Sequence, residues 1–283
     1  MPCSVEYFYI RGPYDTVMRV ALKVAYDGRD FHGFARQPDL RTVEGEIVHA
    51  LIKSGLIAGL KASRFRGASR TDAGVSAIGN VVAFDGEAAD AATVGRFNEI
   101  ARGVWAWAVA ELPPGYDPRR AHARWYRYLL TGTHDLGPLR NAANAFIGTH
   151  DFRAFASPDE GRTRRRVDAI GVSGAEHGTL IDVRAPSFLR AMVRRIVAAL
   201  LAVENGRVTE DDIRTALANG KGPDLGQVPP EPLVLMDVDL GVPFRVAVDG
   251  ATRDRVDRTL ADATKTVRFW QEAAAALTPK PPL

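Results

Sequence analysis

The sequence predicts an α+β protein of two ferredoxin-like βαββαβ halves, with mixed or antiparallel sheets side by side around a central basic cleft. Three observations lead there. Strand and helix signals run strand, helix, strand, strand, helix, strand, and that order occurs twice. A breaker cluster, Pro113-Pro114-Gly115-Tyr116-Asp117-Pro118, separates the two runs. Arginines gather in short stretches: Arg162, Arg164, Arg165 and Arg166; Arg119, Arg120, Arg124 and Arg127; Arg190, Arg194 and Arg195. Such clusters suit a phosphate backbone, and each alone is equally an ordinary solvated face. The expected division is an N-terminal extension over 1–17, a first half over 18–112, a linker over 113–122, a second half over 123–245 and a helical tail over 246–283.

The elements follow in order. Met18 opens a strand with Val20, Leu22 and Val24 on one face, and Met18 itself can be the natural start of the chain. After a loop over 29–41, Thr42 can cap a helix to about residue 54 with Val43, Ile47 and Leu51 on one stripe. A strand over 63–66 runs through Gly67 into the turn that holds Asp72, and a strand over 80–84 leaves it. Asp90 can cap a second helix carrying Val94, Phe97 and Ala101, and large residues alternate with alanine from Val104 onward. In the second half, strands are expected over 123–131, 166–173, 180–184 and 233–240, with helices over 140–147 and 187–204. Thr209 with Asp212 makes a capping-box start for a further short helix. The tail, with Leu260, Val267 and Trp270, is expected as one helix packed on the body, with 279–283 frayed.

Composition removes several classes. The chain has 283 residues, 46% hydrophobic and 25% charged, which is the profile of a globular protein with a sizeable core. Its single cysteine, Cys3, excludes an intrachain disulfide framework and a Cys-rich zinc site, and fits a reducing cytoplasm. None of the six histidines forms an H-x-x-x-H pair. No apolar run approaches the roughly 20 residues of a membrane helix, and no basic start precedes an apolar core as in a secretory signal. The net charge of +3 is a weak argument for nucleic acid, and the arginine clustering is a stronger one.

The most informative stretch is Ser69-Arg70-Thr71-Asp72-Ala73-Gly74-Val75. It sets an arginine and a carboxylate two residues apart on a tight turn between strands. Taken alone, R-T-D reads as a solvated turn whose Asp bonds its own backbone. In context Asp72 can be a nucleophile, a general base or a metal ligand. A metal site wants two or three carboxylates nearby, and none occurs before Asp85, so nucleophile or base fits better. Neighbouring arginines favour the charged form of a carboxylate.

Arg190 and Arg194 stand i, i+4 on the expected helix over 187–204, beside an apolar stripe of Phe188, Met192, Ile196 and Leu200. Such an arginine either snorkels to water or reaches inward to a carboxylate such as Asp72. Tyr126 and Tyr128 share one face of their strand, with Trp125 and Arg127 on the other. Core packing is one reading of these aromatics. A stacking surface worth about 1–3 kcal/mol per base is the other.

These motifs together resemble the TruA family of tRNA pseudouridine synthases, in an archaeal-like form. Ser69-Arg-Thr-Asp-Ala-Gly-Val-Ser-Ala is similar to the family's catalytic motif. Tyr26-Asp-Gly with Phe31-His-Gly-Phe-Ala-Arg-Gln, Arg124-Trp-Tyr-Arg-Tyr-Leu-Leu, Gly148-Thr-His-Asp-Phe, Ser187-Phe-Leu-Arg-Ala-Met-Val-Arg-Arg-Ile-Val and Pro229-Pro-Glu-Pro-Leu-Val-Leu follow in the family's order, over about residues 18 to 240. Ser69 and Ser76 stand where the bacterial pattern has Gly and His.

The resemblance implies isomerisation of uridine to pseudouridine in tRNA, in the anticodon stem-loop at positions 38–40, without metal or other cofactor. Asp72 would be catalytic. Arg70 would fill the space of the flipped base, Tyr126 would stack on the uracil, and Arg194 would pair with Asp72. Leu233 and Arg190 are expected to contact substrate. A homodimer and a cytoplasmic location are also implied. The rivals are a relative acting on other tRNA uridines, a non-catalytic RNA-binding protein and a metal-dependent phosphohydrolase. The second lacks RNP-type aromatic motifs, and the third lacks clustered carboxylates.

Overall fold

Capping residues and apolar alternation set the elements close to where the sequence marks them. The structure, a computed structural model, describes residues 17–158, 161–248 and 250–277. The first run is β1 (Met18–Tyr26), α1 (Val43–Lys53), β2 (Arg66–Gly67), β3 (Ser76–Gly86), α2 (Ala91–Ile100) and β4 (Val104–Leu112). The second is β5 (Ala123–Thr131), α3 (Leu136–Phe146), β6 (Gly148–Asp151), β7 (Arg164–Val167), β8 (Ala169–Ala175), β9 (Gly178–Ala185), α4 (Met192–Glu204), α5 (Glu210–Asn219) and β10 (Leu233–Asp239). β11 (Arg245–Val246) and α6 (Gly250–Leu277) follow. Thr42, Asp90 and Thr209 cap α1, α2 and α5 through their side-chain oxygens, and the Thr209–Asp212 box is closed from both sides.

One large mixed sheet organises the molecule, in the order β11-β4-β1-β3-β10-β5-β9-β8, with β2 paired to β3 off this path. Its pairings are antiparallel except that of β3 with β10, which is parallel and short, Val234 opposite Ser76 and Leu235 opposite Ala77. The two runs of the chain therefore join within a few residues of Asp72. Helices α1 and α2 pack on each other and on β4, while α3 packs on α4, α5 and β8. The core is continuous from β1 and α1 through Tyr126 and Tyr128 to α4.

Several elements differ from the sequence reading, each for a local reason. The helix expected over 187–204 begins only at Met192, because Ala191 adopts a left-handed conformation at φ 59° and ends the preceding turn. Arg190 lies before the helix, so it does not share a helical face with Arg194. The strand expected over 166–173 is two, β7 and β8. The first of them pairs with β6 in a separate polar hairpin that carries no apolar alternation to announce it. Helix α3 starts earlier than expected because Asp135 caps it, accepting from the Gly137 amide at 2.9 Å. The strand expected over 63–66 shrinks to β2, since Arg64 has φ 47° and Ser63 donates its hydroxyl to the Gly59 carbonyl at 2.7 Å in a turn.

The tail is helical, and its first turn is anchored, with Thr252 3% exposed. Leu260 and Val267, expected to pack on the body, stand out from it at 64% and 51% exposed. Its Trp270 side chain, the extension up to residue 16 and the segment 279–283 lie outside the described residues. Among the described residues no helix is long and apolar enough to cross a membrane.

Candidate active site

The turn between β2 and β3 is fastened at alternate residues, and this is what presents Asp72. Ser69, Thr71 and Val75 are buried, while Arg70 is exposed and Asp72 partly so. The Ser69 carbonyl accepts from Asn80 Nδ2 at 3.0 Å, and the Ser69 hydroxyl from Arg124 Nε at 2.8 Å. Thr71 Oγ1 lies 2.9 Å from the Tyr26 hydroxyl, and the Thr71 carbonyl accepts from the Phe34 amide at 3.0 Å. The Val75 amide donates to the Asp72 carbonyl at 3.2 Å, closing the turn.

Two glycines make this packing possible. A Cβ at Gly28 would stand 2.2 Å from the Val75 carbonyl oxygen, so only glycine lets the loop after β1 press against the turn. Gly74 takes φ +84° with Pro230 against it, a conformation strained for any other residue.

The second run of the chain supplies the facing groups. Arg194, in the first turn of α4, places Nη1 3.5 Å from Asp72 Oδ2, with its side chain 11% exposed and that of Asp72 32%. Its Nε donates to the Val228 carbonyl at 2.7 Å, and the Val228 amide returns a bond to the Arg194 carbonyl at 3.3 Å. The guanidinium is thus aimed by the loop before β10. Tyr126 on β5 is buried, with Phe188 edge-on at 5.2 Å between ring centroids. Leu233 is buried opposite Tyr128, whereas Leu235 is the residue across from Tyr126. The Arg190 side chain is exposed, and its carbonyl accepts from the Ser157 amide at 3.0 Å.

Burial dominates the electrostatics. It raises the Tyr126 phenol well above its ordinary range, and the charges of Tyr26 and Asp72 add to that effect against Arg124. Tyr126 is therefore a neutral phenol at physiological pH. Tyr26 is pushed up to about 12 by burial, which outweighs its bonds to Thr71 and Asn80. Desolvation lowers Arg124. Among the described residues no three His, Cys, Asp or Glu side chains converge as a metal cage would.

The arginine clusters separate in space. Arg124 is buried, whereas Arg127, three residues on, bonds Asp182 from the other face of β5 at 2.9 and 3.0 Å. Arg195 pairs with Asp224 at 2.9 Å while its neighbour Arg194 turns to Asp72. Arg162, Arg164 and Arg166 remain exposed on and beside β7. The sequence leaves Arg124 open between a phosphate-binding cluster and an ordinary solvated face, names Tyr26 and Phe188 only as members of a motif and an apolar stripe, and gives Asn80 no part in the site. The alternation that turns Tyr126 and Tyr128 inward places Arg124 on the same side, and that signal was available.

Known proteins resemble this chain closely. A family model described as tRNA pseudouridine synthase matches residues 142–239. The chain is 40% identical over 256 residues to the tRNA pseudouridine synthase A of Thermococcus sibiricus, covering 88% of this chain and 96% of that one. The enzyme of the same name from Thermococcus onnurineus is 42% identical, with 85% and 92% covered. That of Methanococcoides burtonii is 38% identical, with 93% and 97% covered.

Proposed function

The chain belongs to the tRNA pseudouridine synthase family, and from that premise we propose that it isomerises uridine to pseudouridine in the anticodon stem-loop of tRNA, at positions 38–40, with Asp72 as the reacting carboxylate. The observation that carries the reading is the pairing of Asp72 with Arg194 at 3.5 Å, from opposite runs of the chain, beside buried Tyr126.

The reaction breaks the N1–C1′ bond and forms C5–C1′. The C5 proton is lost and N1 gains one, so no electrons are exchanged with a redox cofactor. Asp72 either attacks C1′ or removes a sugar proton after assisting departure of the base, and Arg194 holds its carboxylate in place. The uridine must first leave its stack, at about a few kcal/mol. Arg70, exposed beside Asp72 on the turn, is suited to occupy the vacated space. Tyr126 offers a ring to the uracil, Leu233 lines the wall behind it, and Arg190 meets the RNA at the rim. Exposed Arg162, Arg164 and Arg166 hold phosphates, with affinity that falls steeply as salt rises.

The same reading extends to the whole chain. The strand orders β4-β1-β3-β2 and β10-β5-β9-β8 support two ferredoxin-like halves, over 18–112 and 123–245, with a basic cleft where they meet. Residues 113–122 link them, with 1–17 preceding the first half and 246–283 following the second in the chain. A homodimer acting in the cytoplasm completes the proposal.

The test is to map pseudouridine in tRNA from a strain lacking the protein, complemented with wild type or Asp72→Asn. Wild type is expected to restore pseudouridine at positions 38–40, and Asp72→Asn is not. Restoration at other positions would refute the assignment of target, and full restoration by Asp72→Asn would refute that of the residue.

A further inference from the structure

Arg124 is a buried cation without a buried anion. It is 7% exposed, and among the described residues none of its hydrogen-bond partners is a carboxylate. Nε donates to Ser69 Oγ at 2.8 Å, Nη2 to the carbonyls of Ala68 at 2.8 Å and Arg119 at 3.0 Å, and Nη1 to the carbonyl of Pro186. A desolvated guanidinium held only by neutral acceptors is a costly way to hold a fold together. Its value lies in where the acceptors come from. Ala68 and Ser69 lead into the turn of Asp72. Pro186 leads into Phe188, the edge-on neighbour of Tyr126. Arg119 belongs to the segment between β4 and β5. One rigid fork thus ties three segments of the chain to β5.

Ser69 passes this restraint toward the reacting group. Its hydroxyl is held by Arg124 and its carbonyl by Asn80, whose Nδ2 also donates to the Tyr26 hydroxyl at 3.1 Å. That hydroxyl meets Thr71 at 2.9 Å, and Thr71 precedes Asp72. The path from Arg124 to the residue before Asp72 is unbroken.

We propose that Arg124 and Ser69 are positioning residues, which set the Asp72 turn at a fixed distance from the Tyr126 and Phe188 wall of the uracil pocket. The proposal rests on the reading of Asp72 as the reacting carboxylate. Neither residue touches the substrate. Both act on the rate through geometry, where a displacement of about 1 Å can cost on the order of a hundredfold.

The test compares Ser69→Ala, Arg124→Lys and the double variant in the full chain, with Asp72→Asn as a control. The readouts are the single-turnover rate of pseudouridine formation at saturating tRNA, the Kd for tRNA and the thermal midpoint. Ser69→Ala is expected to slow the single-turnover step by about 10- to 100-fold, with Kd within about twofold. Arg124→Lys should lose as much, because an ammonium keeps the charge but lacks the planar fork. The double variant should be no slower than the worse single one, as coupled residues behave. Wild-type rates in Ser69→Ala, full rates in Arg124→Lys, a loss confined to Kd, or multiplied losses in the double variant would each overturn the proposal. If Arg124→Lys fails to fold, the rate and Kd of Ser69→Ala decide alone. An active Asp72→Asn would overturn the catalytic reading instead, which separates the two failures.

Discussion

Strand β5 has two faces, and its two arginines, Arg124 and Arg127, show what each face is for. Arg124 points inward with Tyr126 and Tyr128, is buried, and is satisfied by three carbonyls and a hydroxyl. Arg127 points outward beside Trp125, with its guanidinium 5.1 Å from that ring, and bonds both oxygens of half-exposed Asp182. In the sequence they belong to one basic cluster. In the fold, the inward face is aligned with Asp72 and Arg194, and the outward face is ordinary surface chemistry. Counting arginines is therefore a poor guide to an RNA footprint unless the strand period is applied first.

The largest expected effect concerns what the inward face serves. Asp72→Asn keeps size and hydrogen bonding but removes the charge. It is expected to lower kcat to below about one-thousandth of wild type, with the Kd for tRNA within about threefold. A tritium-release assay on uridine-labelled tRNA measures the first and filter binding the second. Near-normal turnover would break the contrast at its root, because the inward face would then serve no reaction.

The second effect tests the two arginines directly. Arg124→Met leaves four acceptors without their donor: the Ser69 hydroxyl and the carbonyls of Ala68, Arg119 and Pro186, and of these the bonds to Ser69 and Ala68 are buried. Each such buried orphan costs about 1–3 kcal/mol, so unfolding in urea is expected to show a loss of about 3 kcal/mol or more. Arg127→Met removes a partly exposed ion pair, worth about 0.2–1 kcal/mol. Equal losses would show that burial and the absence of a carboxylate do not distinguish the pair.

How far the sequence reached follows from the same physics. Short-range signals sufficed for capping by Thr42, Asp90 and Thr209, for the alternation in β4 and β5, and for the R-T-D turn, because each depends on neighbours a few residues away. The pairing of Arg194 with Asp72 was one of two readings open to an arginine beside an apolar stripe. The choice depended on Val228 taking Nε, a contact across 34 positions. The β6 and β7 hairpin was illegible because its residues, Gly-Thr-His-Asp and Arg-Arg-Arg-Val, pair through the backbone and bury little. The start of α4 was misread because nothing about an alanine announces the left-handed conformation of Ala191.

Next in size is Arg194→Lys. Arg194 divides its fork between Asp72 at 3.5 Å and the Val228 carbonyl at 2.7 Å, and a single ammonium does not span both in that geometry. A reacting group displaced by about 1 Å can cost on the order of a hundredfold, so the single-turnover rate is expected to fall about 10- to 100-fold. An unchanged rate would move the supporting role from Arg194 to another cation.

The smallest effect sharpens what Tyr126 contributes to the inward face. Burial keeps its phenol neutral well past pH 10, so it is not poised as a base at physiological pH. Loss of a working general acid or base costs about a hundredfold or more. Tyr126→Phe keeps the ring and its edge-on contact with Phe188, and its single-turnover rate is expected to fall by less than about tenfold. The two buried tyrosines also set an alkaline limit on stability. A group whose folded pKa exceeds its unfolded value stabilises fully below the unfolded value, and that contribution is lost as pH rises through the folded one. For Tyr26 the window runs from the ordinary 10.0 to about 12. Tyr26→Phe should therefore be less stable than wild type at neutral pH, having lost the bonds to Thr71 and Asn80, yet lose less stability between pH 10 and 12. Parallel pH profiles for the two proteins would show that Tyr26 is not the group that titrates. A hundredfold loss in Tyr126→Phe would give the phenol a proton to carry and make the inward face of β5 chemical as well as geometric.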